Sequence, residues 1–242
     1  MKFKAFRTAR WLFVLAAIAV VPLACAPKPE TKDKTAAPAA AEKHALVRFV
    51  NATTYTEPVD VYLDEAKVLP AVGRDKVTDY SEWAAKRHEV ELRVVGNVSS
   101  SAKDSENLNA EEHYTVVGYS KADGTPAVEV FHDKDSQPEA GKARIRLIHV
   151  ADGAKELGIF PAGGKDSVLN GVNYSDESSA DVDPGIRMLE VRKQGEKVVA
   201  VKIPELSLQA GKTYTIIIAA DQDRKLRAIQ LENTGLQQGS IR

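Results

Sequence analysis

The sequence has few residue patterns that could support covalent chemistry, and its 242 residues include a single cysteine, Cys25. One cysteine excludes a disulfide within the chain. The chain lacks the G-x-S-x-G pattern of nucleophilic enzymes. Its five histidines show no H-E-x-x-H or H-x-H spacing of the kind zinc sites use. We therefore predict no catalytic residues and no cofactor.

The N-terminus has the composition of a secretory signal. Residues 1–10 carry four basic side chains and no acid, and residues 11–24 are uncharged. A basic segment followed by a short apolar segment is typical of a signal peptide. The 16 residues from Trp11 to Ala26 are too few for a membrane-spanning helix, which needs about 20. We therefore predict that residues 1–24 are removed.

The position of Cys25 indicates a lipid anchor. Leu23-Ala24-Cys25 resembles the lipobox of bacterial lipoproteins, although Pro22 stands where that motif usually has leucine. Ordinary cleavage after Ala26 is the alternative, and it would place Pro27 beside the cut. We predict that Cys25 is lipidated and holds the protein at the cell envelope, by a membrane contact made through the lipid. In a diderm organism the outer membrane is favoured, because Ala26 follows in place of an aspartate.

Residues 25–44 resemble a flexible tether, since they are rich in alanine, proline and mixed charge and lack large aliphatic residues. After removal of residues 1–24, 29 basic and 34 acidic side chains remain, which gives a net charge of −5. This balance argues against nucleic-acid binding, which depends on a basic patch. It also argues against electrostatic attachment to anionic lipid.

The remaining sequence contains an internal repeat. ALVRFVNA (45–52) matches ARIRLIHV (143–150), and LNAEEHYTVVGYS (108–120) matches LQAGKTYTIIIAA (208–220). VTDYSE (77–82) and VNYSDE (172–177) suggest a third equivalent pair. Matches at similar offsets indicate a duplicated domain. We predict repeat 1 over residues 45–137 and repeat 2 over residues 138–242.

Both repeats show the alternation of β-strands. Ala45, Val47 and Phe49 share one face of the first strand, and Arg48 lies on the other. We predict that Asp221-Gln222-Asp223-Arg224 forms the hairpin turn between the last two strands. The pattern favours an all-β chain with two tandem immunoglobulin-like Greek-key β-sandwiches, of about seven strands each.

A second spacing supports the sandwich. Leu208-x-x-Gly211-x-x-Tyr214 resembles the tyrosine corner, in which a tyrosine hydroxyl bonds to the backbone a few residues upstream. Repeat 1 carries Tyr114 at the equivalent place but has Glu111 in place of the glycine. We predict structural tyrosine corners at Tyr114 and Tyr214, with a looser turn in repeat 1.

The segments ALVRFVNATTYTEPVDVYLDEAKVL (45–69) and ARIRLIHVADGAKELGIFP (143–161) resemble the family known as domain of unknown function 4397. The resemblance implies a secreted or lipid-anchored bacterial domain, often in tandem copies, with no activity attached to it. Repeat 1 has Asn51 where the family prefers histidine, whereas repeat 2 keeps His149. We expect His149 to be a hydrogen-bonded core residue.

Acidic residues are the remaining candidates for a metal site. Asp133 and Asp135 lie where the repeats join, and Asp176-Glu177, Asp181 and Asp183 flank a loop of repeat 2. Calcium takes about six to eight oxygen ligands, so neighbouring carboxylates alone do not define a site. We predict no metal, with calcium at Asp133, Asp135, Asp181 and Asp183 as the open alternative.

Aromatic residues offer another kind of site. A face for sugar or peptide could be formed by Tyr80, Trp83, Tyr119 and Tyr174. Packing in the core or in a loop is the other interpretation, and it is the one we favour.

These observations favour a non-catalytic binding or scaffolding protein on a lipid anchor, with an envelope protein or glycan as partner. Two alternatives stay open. One is a hydrolase that acts on envelope polysaccharide or peptide, and the other is a spacer stiffened by calcium between the repeats.

Overall fold

A computed structural model describes residues 42–97, 101–133, 136–185, 188–203 and 206–233. The predicted signal (1–24) and all but the end of the tether (25–44) lie outside these residues. The described part contains β-strands and no helix, and therefore no helix that could span a membrane. The strands are β1 (His44–Ala52), β2 (Val59–Leu63), β3 (Ala66–Val72), β4 (Ser81–Ala84), β5 (Arg87–Val94), β6 (Ser101–Asn107), β7 (His113–Ser120), β8 (Pro126–Asp133), β9 (Ala143–His149), β10 (Leu157–Pro161), β11 (Leu169–Val172), β12 (Asp176–Val182), β13 (Leu189–Lys193), β14 (Val199–Ile203), β15 (Thr213–Ala220) and β16 (Leu226–Asn233).

Each repeat consists of two four-stranded sheets. In each repeat we call the sheet that faces the other repeat the inner sheet, and the other one the outer sheet. Repeat 1 has an inner sheet of order β4-β1-β7-β8 and an outer sheet of order β3-β2-β5-β6. Repeat 2 has an inner sheet of order β12-β9-β15-β16 and an outer sheet of order β11-β10-β13-β14. The prediction of an all-β chain with two sandwich repeats is confirmed, with eight strands in each. One pair in each inner sheet is parallel, β1 with β7 and β9 with β15.

The predicted alternation places large apolar residues between the two sheets of each repeat. Val47 and Phe49 enter the core of repeat 1, and Ile145 and Leu147 enter the core of repeat 2. None of the four is more than 1% exposed. Full burial of such a side chain contributes about 1.5–3 kcal/mol, so these clusters account for much of the stability of each sandwich.

The other face of each inner sheet is also buried, because the two inner sheets pack against each other. Val50, Val117 and Phe131 of repeat 1 form one apolar cluster with Ile148 and Ile217 of repeat 2. Arg48 lies on this face, as predicted, and Arg146 lies on the equivalent face of repeat 2, yet the two are only 5% and 4% exposed. The repeats therefore lie side by side within one compact unit, Ala41–Arg242.

The two repeats are related by an approximate twofold axis. Gln222 Nε2 of repeat 2 donates to Thr54 O (2.9 Å), and Ala122 N of repeat 1 donates to Asp152 Oδ2 (2.8 Å). These contacts join equivalent positions, since 122 corresponds to 222 and 54 to 152. Reciprocal contacts of this kind are the mark of an isologous dimer interface. Here one chain supplies both partners.

The twofold relation corrects one predicted equivalence. Asp75 N donates to Asn51 O and Ser175 N to His149 O, both at 2.8 Å. Both donors also have positive φ angles, 61° for Asp75 and 64° for Ser175. Residue 75 therefore corresponds to residue 175, an offset of 100. The match of VTDYSE with VNYSDE implies an offset of 95 and is wrong, because it reflects only a local similarity of short polar segments.

Both predicted corner tyrosines bond to the loop before their strand. Tyr114 Oη accepts from Asn109 N (3.0 Å) and donates to the Glu112 carboxylate (2.9 Å). Tyr214 Oη accepts from Gln209 N (3.0 Å) and donates to Ser207 O (2.9 Å). The predicted turn between β15 and β16 is present at residues 221–225.

The turn in repeat 1 is not looser than its counterpart. Glu111 has a φ of +65° and Gly211 a φ of +79°. In repeat 1 Glu111 N donates to His44 O (2.8 Å), and in repeat 2 Gly211 N donates to Lys142 O (2.7 Å). The hydrogen bond holds Glu111 in the left-handed conformation despite its Cβ.

Replacing Glu111 with glycine is therefore expected to stabilise the protein. A left-handed conformation costs a residue with a Cβ about 1 kcal/mol, and glycine avoids this cost. Urea unfolding should show a gain of about that size. The reciprocal variant, Gly211→Glu, should lose a similar amount. A Glu111→Gly midpoint at or below that of the wild type would contradict the strain at this position.

Candidate functional site

The predicted metal candidate Asp133 is buried between the two repeats. It ends β8 and is 1% exposed. Its carboxylate accepts from Tyr80 Oη (2.6 Å) and Thr115 Oγ1 (2.7 Å) and pairs with the Arg146 guanidinium of repeat 2. Arg48 Nη2 lies 3.6 Å away. Burial opposes ionisation of Asp133, but the two arginines outweigh it and hold its pKa below the ordinary value.

Arg146 carries this network across the interface. Its guanidinium also pairs with Glu177 and donates to His132 O (3.1 Å). Burial acts against its charge, but Asp133 and Glu177 more than compensate, so the Arg146 pKa is raised. The ion pair of Arg146 with Asp133 therefore links repeat 2 to repeat 1, and Glu177 of repeat 2 belongs to the same network.

The other acidic candidates are also engaged by protein groups. Asp181 accepts from Arg144 Nε and Glu139 N, both at 2.7 Å, and the hydrogen bond from Arg144 is the largest cause that lowers its pKa. Asp183 is paired with Lys142 Nζ at 2.7 Å. Asp135 lies outside the described residues. Among the residues that the structure describes, no three His, Cys, Asp or Glu side chains are grouped to hold a metal ion.

The predicted aromatic residues do not form one face. Trp83 lies in the core of repeat 1 and is 6% exposed, and the Tyr80 hydroxyl donates a hydrogen bond to Asp133. Tyr119 and Tyr174 meet at the interface, with ring centroids 6.2 Å apart and hydroxyls 2.9 Å apart. The structure thus distributes the four residues among a core, an ionic network and an interface.

His149 has the environment of a core histidine. It is fully buried, its Nδ1 accepts from Ala151 N (3.2 Å), and its Nε2 lies 3.2 Å from Lys155 O. Burial lowers its pKa, which favours the neutral ring. A neutral ring can accept at Nδ1 and donate at Nε2, which satisfies both contacts.

An open groove runs along one edge of the interface between the repeats. It is lined by Glu129, Val130 and Phe131 of β8 and by Ser175, Asp176 and Glu177 around the start of β12, and its volume is about 280 Å³. β8 and β12 are edge strands of the two inner sheets, so the packing of those sheets brings them together. The groove therefore exists only because the repeats lie side by side.

Glu129 is the central polar residue of this groove. Its Oε1 accepts from Tyr119 Oη (2.8 Å) and from Ser175 Oγ. Its Oε2 is buried and has no hydrogen-bond partner within the described part of the chain. Burial, followed by the hydrogen bonds to Tyr174 and Glu129, raises the pKa of Tyr119 far above its ordinary value, so this phenol remains a donor. The groove thus holds a carboxylate with one satisfied and one unsatisfied oxygen.

The sequence predictions missed Glu129 and Ser175. The usable signal is a comparison of the repeats by strand register. Val117 lies opposite Glu129, and the equivalent Ile217 lies opposite Ile229. An acid therefore replaces an apolar residue at an interface position. Asp176 and Glu177 were identified from the sequence, but as a possible cation site and not as part of a groove shared by both repeats.

Comparisons with known proteins support the family and leave the ligand open. Residues 45–160 match the family model described as domain of unknown function (DUF4397). No curated protein sequence matches the chain significantly. The match confirms the family resemblance over repeat 1 and the start of repeat 2, while the resemblance over the rest of repeat 2 stays a prediction.

Several solved structures show a distant likeness. One is CBMbc, a family CBM26 module of Eubacterium rectale Amy13K in complex with maltoheptaose, with 8% identity and a TM-score of 0.27 over 76% of this chain and 95% of that chain. Two are candidate cell adhesion proteins, from Bacteroides uniformis (9%, 0.25, 79% and 97%) and Bacteroides ovatus (10%, 0.25, 80% and 97%). At these values the likeness supports no conclusion about function. On this match, residues 45–160 belong to the DUF4397 family.

Proposed function

We propose that this protein is a lipid-anchored, non-catalytic binding protein of the bacterial cell envelope. The observation that carries the binding role is the packing of two sandwiches into one body with a groove at their shared edge. Such a body presents residues of both repeats to a partner in a fixed arrangement. The partner would be an envelope protein or glycan.

The anchor would hold this body by the end at which β1 begins. The described chain enters β1 at His44, and β7 runs parallel to β1. The β7–β8 and β15–β16 turns (121–125 and 221–225) therefore lie at the opposite end. As a coil, the roughly 20 residues from Cys25 to the start of β1 would span on the order of 25 Å. Lipidation of Cys25 would then leave both the groove and these turns clear of the membrane.

The geometry gives less support to the hydrolase. Glycoside hydrolysis needs one carboxyl group that donates a proton and a second that acts as base or nucleophile. In the groove, Glu177 is ion-paired with Arg146, and Glu129 accepts hydrogen bonds from Tyr119 and Ser175. These two of the three groove carboxylates are held as acceptors, and neither is placed as a proton donor.

The calcium-stiffened spacer has a competing explanation in the described residues. The interface cluster and the Arg48–Asp133–Arg146–Glu177 network already fix the two repeats against each other. Side-by-side packing also makes the body shorter than an end-to-end array, which is unfavourable for a spacer.

The anchor is tested by metabolic labelling with a fatty-acid analogue in a bacterial host. We expect the wild-type chain to incorporate the label and Cys25→Ser to lose it completely, because the cysteine sulfur is the acceptor. Pro22→Leu restores the usual lipobox residue and should keep or increase labelling. Label on Cys25→Ser would contradict the anchor.

The non-catalytic role is tested with the full chain in a neutral detergent, incubated with isolated envelope polysaccharide or envelope peptide. We expect retention of one of these materials without cleavage. Release of fragments would favour the hydrolase, whatever the outcome of the labelling.

A further inference from the structure

We propose that the groove between β8 and β12 binds a cationic side chain, best an arginine, presented by a partner polypeptide. This inference rests on the proposed binding role and names the chemistry of its ligand. It comes from a comparison of the two edges of the interface, which the approximate twofold axis relates to each other.

The edge opposite the groove is closed by an arginine of the protein itself. Arg227 of β16 donates from Nη2 to Ala52 O (2.7 Å) and Thr53 O (3.1 Å) of repeat 1. Its Nη1 pairs with the Asp75 carboxylate. One guanidinium thus bridges the repeats and satisfies three acceptors at that edge.

The groove edge lacks this cation. The position equivalent to Arg227 is Ala127, since Arg227 lies opposite Ala219 and Ala127 lies opposite Tyr119. The position equivalent to Asp75 is Ser175, as their shared φ and backbone hydrogen bonds show. The guanidinium that bridges the repeats at one edge therefore has no counterpart at position 127 of the other edge, which carries the open groove.

The open edge carries a surplus of negative charge. Three carboxylates line it, and Arg146, the cation that pairs with one of them, is shared with the buried Asp133. Among the residues that the structure describes, Glu129 Oε2 has no partner, and exposed Asp176 uses its Oδ1 to accept from the adjacent Glu177 N (2.7 Å). A buried acceptor without a donor is unfavourable, and a cation bound in the groove would offset its negative charge.

The walls of the groove suit a long cationic side chain. Val130 and Phe131 contribute apolar surface that can cover a methylene stem, while the carboxylates receive the head group. A guanidinium offers five N–H donors in a rigid plane, and an ammonium offers three from one point. Several acceptors around one groove therefore favour arginine over lysine.

The inference is tested by titrating the isotope-labelled full chain, in a neutral detergent, with two peptides observed by nuclear magnetic resonance. The first peptide is Ac-Gly-Ser-Arg-Ser-Gly-NH2. The second has citrulline in place of arginine, which keeps the shape and removes the charge. We expect saturable shifts of the Ser175, Asp176 and Glu177 amides with the arginine peptide, and at least about fivefold weaker binding of the citrulline peptide.

Three variants locate the effect. Asp176→Asn keeps the oxygen that accepts from Glu177 N and should weaken binding of the arginine peptide by about threefold to tenfold. Asp223→Asn makes the same change of charge in the exposed β15–β16 turn and should leave binding unchanged. Ala127→Arg introduces the residue of repeat 2 and should abolish binding, since the protein would fill its own groove.

Four results would overturn the inference: no shifts at millimolar peptide, equal binding of the citrulline peptide, equal weakening by Asp176→Asn and Asp223→Asn, or shifts confined to other surfaces. Asp176→Asn keeps the assay informative if Ala127→Arg fails to fold. Lipid labelling is unaffected by any of these results, so failure of the groove and failure of the anchor are distinguishable.

Discussion

Replacing Asp133 with alanine is expected to destabilise the protein by about 3–5 kcal/mol, the largest effect of any single change considered. The substitution leaves Arg48 and Arg146 buried at the interface without the carboxylate that lies between them. Removing one member of a buried ionic network has a cost of this size, because the charges that remain out of water are then compensated less well. Urea unfolding of the full chain measures the change.

Asp183→Ala is the matched control. It removes the same side chain from an ion pair whose aspartate is 82% exposed, so we expect a loss below about 1 kcal/mol. Equal losses for the two variants would contradict the role assigned to Asp133.

The effect of Asp133 should also depend on pH. Its folded-state pKa lies below the ordinary value of about 3.9, so its contribution is fully present above about pH 4 and is lost as the pH falls through the folded-state pKa. The difference between wild type and Asp133→Ala should shrink in that acidic range. A difference that grows on acidification would contradict this assignment.

Replacing Gly118 with alanine should cost about 1–3 kcal/mol, because it overpacks the core of repeat 1. A Cβ on this residue of β7 would lie 2.2 Å from Leu92 Cδ1 and 3.0 Å from Phe49 Cζ. Repeat 2 has Ile218 at the equivalent position, with the smaller Leu147 and Val191 in place of Phe49 and Leu92. The side chains at these three positions thus fill a similar total volume in the two cores, with the smallest residue at position 118 in repeat 1 and a large one at position 218 in repeat 2.

Thermal unfolding of two further variants tests that volume argument. Gly73→Ala adds a Cβ whose nearest neighbour is a flexible lysine side chain at 3.7 Å, so we expect a change within about 0.5 kcal/mol. Leu92→Val combined with Gly118→Ala should be less destabilising than the sum of the two single changes, since the valine lacks the atom that clashes. If the loss of stability in the double variant equals the sum of the two single losses, a direct contact between Leu92 and a Cβ at position 118 would be contradicted.

The sequence predicted the strands and the duplication well, because both depend on local pattern. In a strand that buries one face, apolar residues alternate with residues of the other face. This alternation is present at Val47 and Phe49 and again at Ile145 and Leu147. The side-by-side packing was not predicted. Arg48 and Arg146 made the second face resemble a polar surface, and only the neighbouring Val50 and Ile148 indicated that this face is buried too.

The candidate groove was less predictable, since it depends on two strands that are about 45 residues apart in sequence. Glu129 and Ser175 meet only after the inner sheets pack. Asp133 illustrates the same limit: its sequence neighbours are charged and polar, which suggests a solvated turn, yet its spatial neighbours are two arginines from different repeats. The local sequence pattern indicates whether a residue is polar or apolar. The groups that a polar side chain contacts depend on tertiary packing, which the local pattern does not contain.

The twofold interface has a consequence for how such a protein can diverge. In a dimer of identical chains, every substitution occurs at both edges of the interface, so an arginine that closes one edge also closes the other. Fusion of the two copies into one chain removes that coupling and makes their association independent of concentration. Arg227 and Ala127 show the result: Arg227 closes one edge of the interface, while the equivalent position at the other edge holds alanine and can change independently.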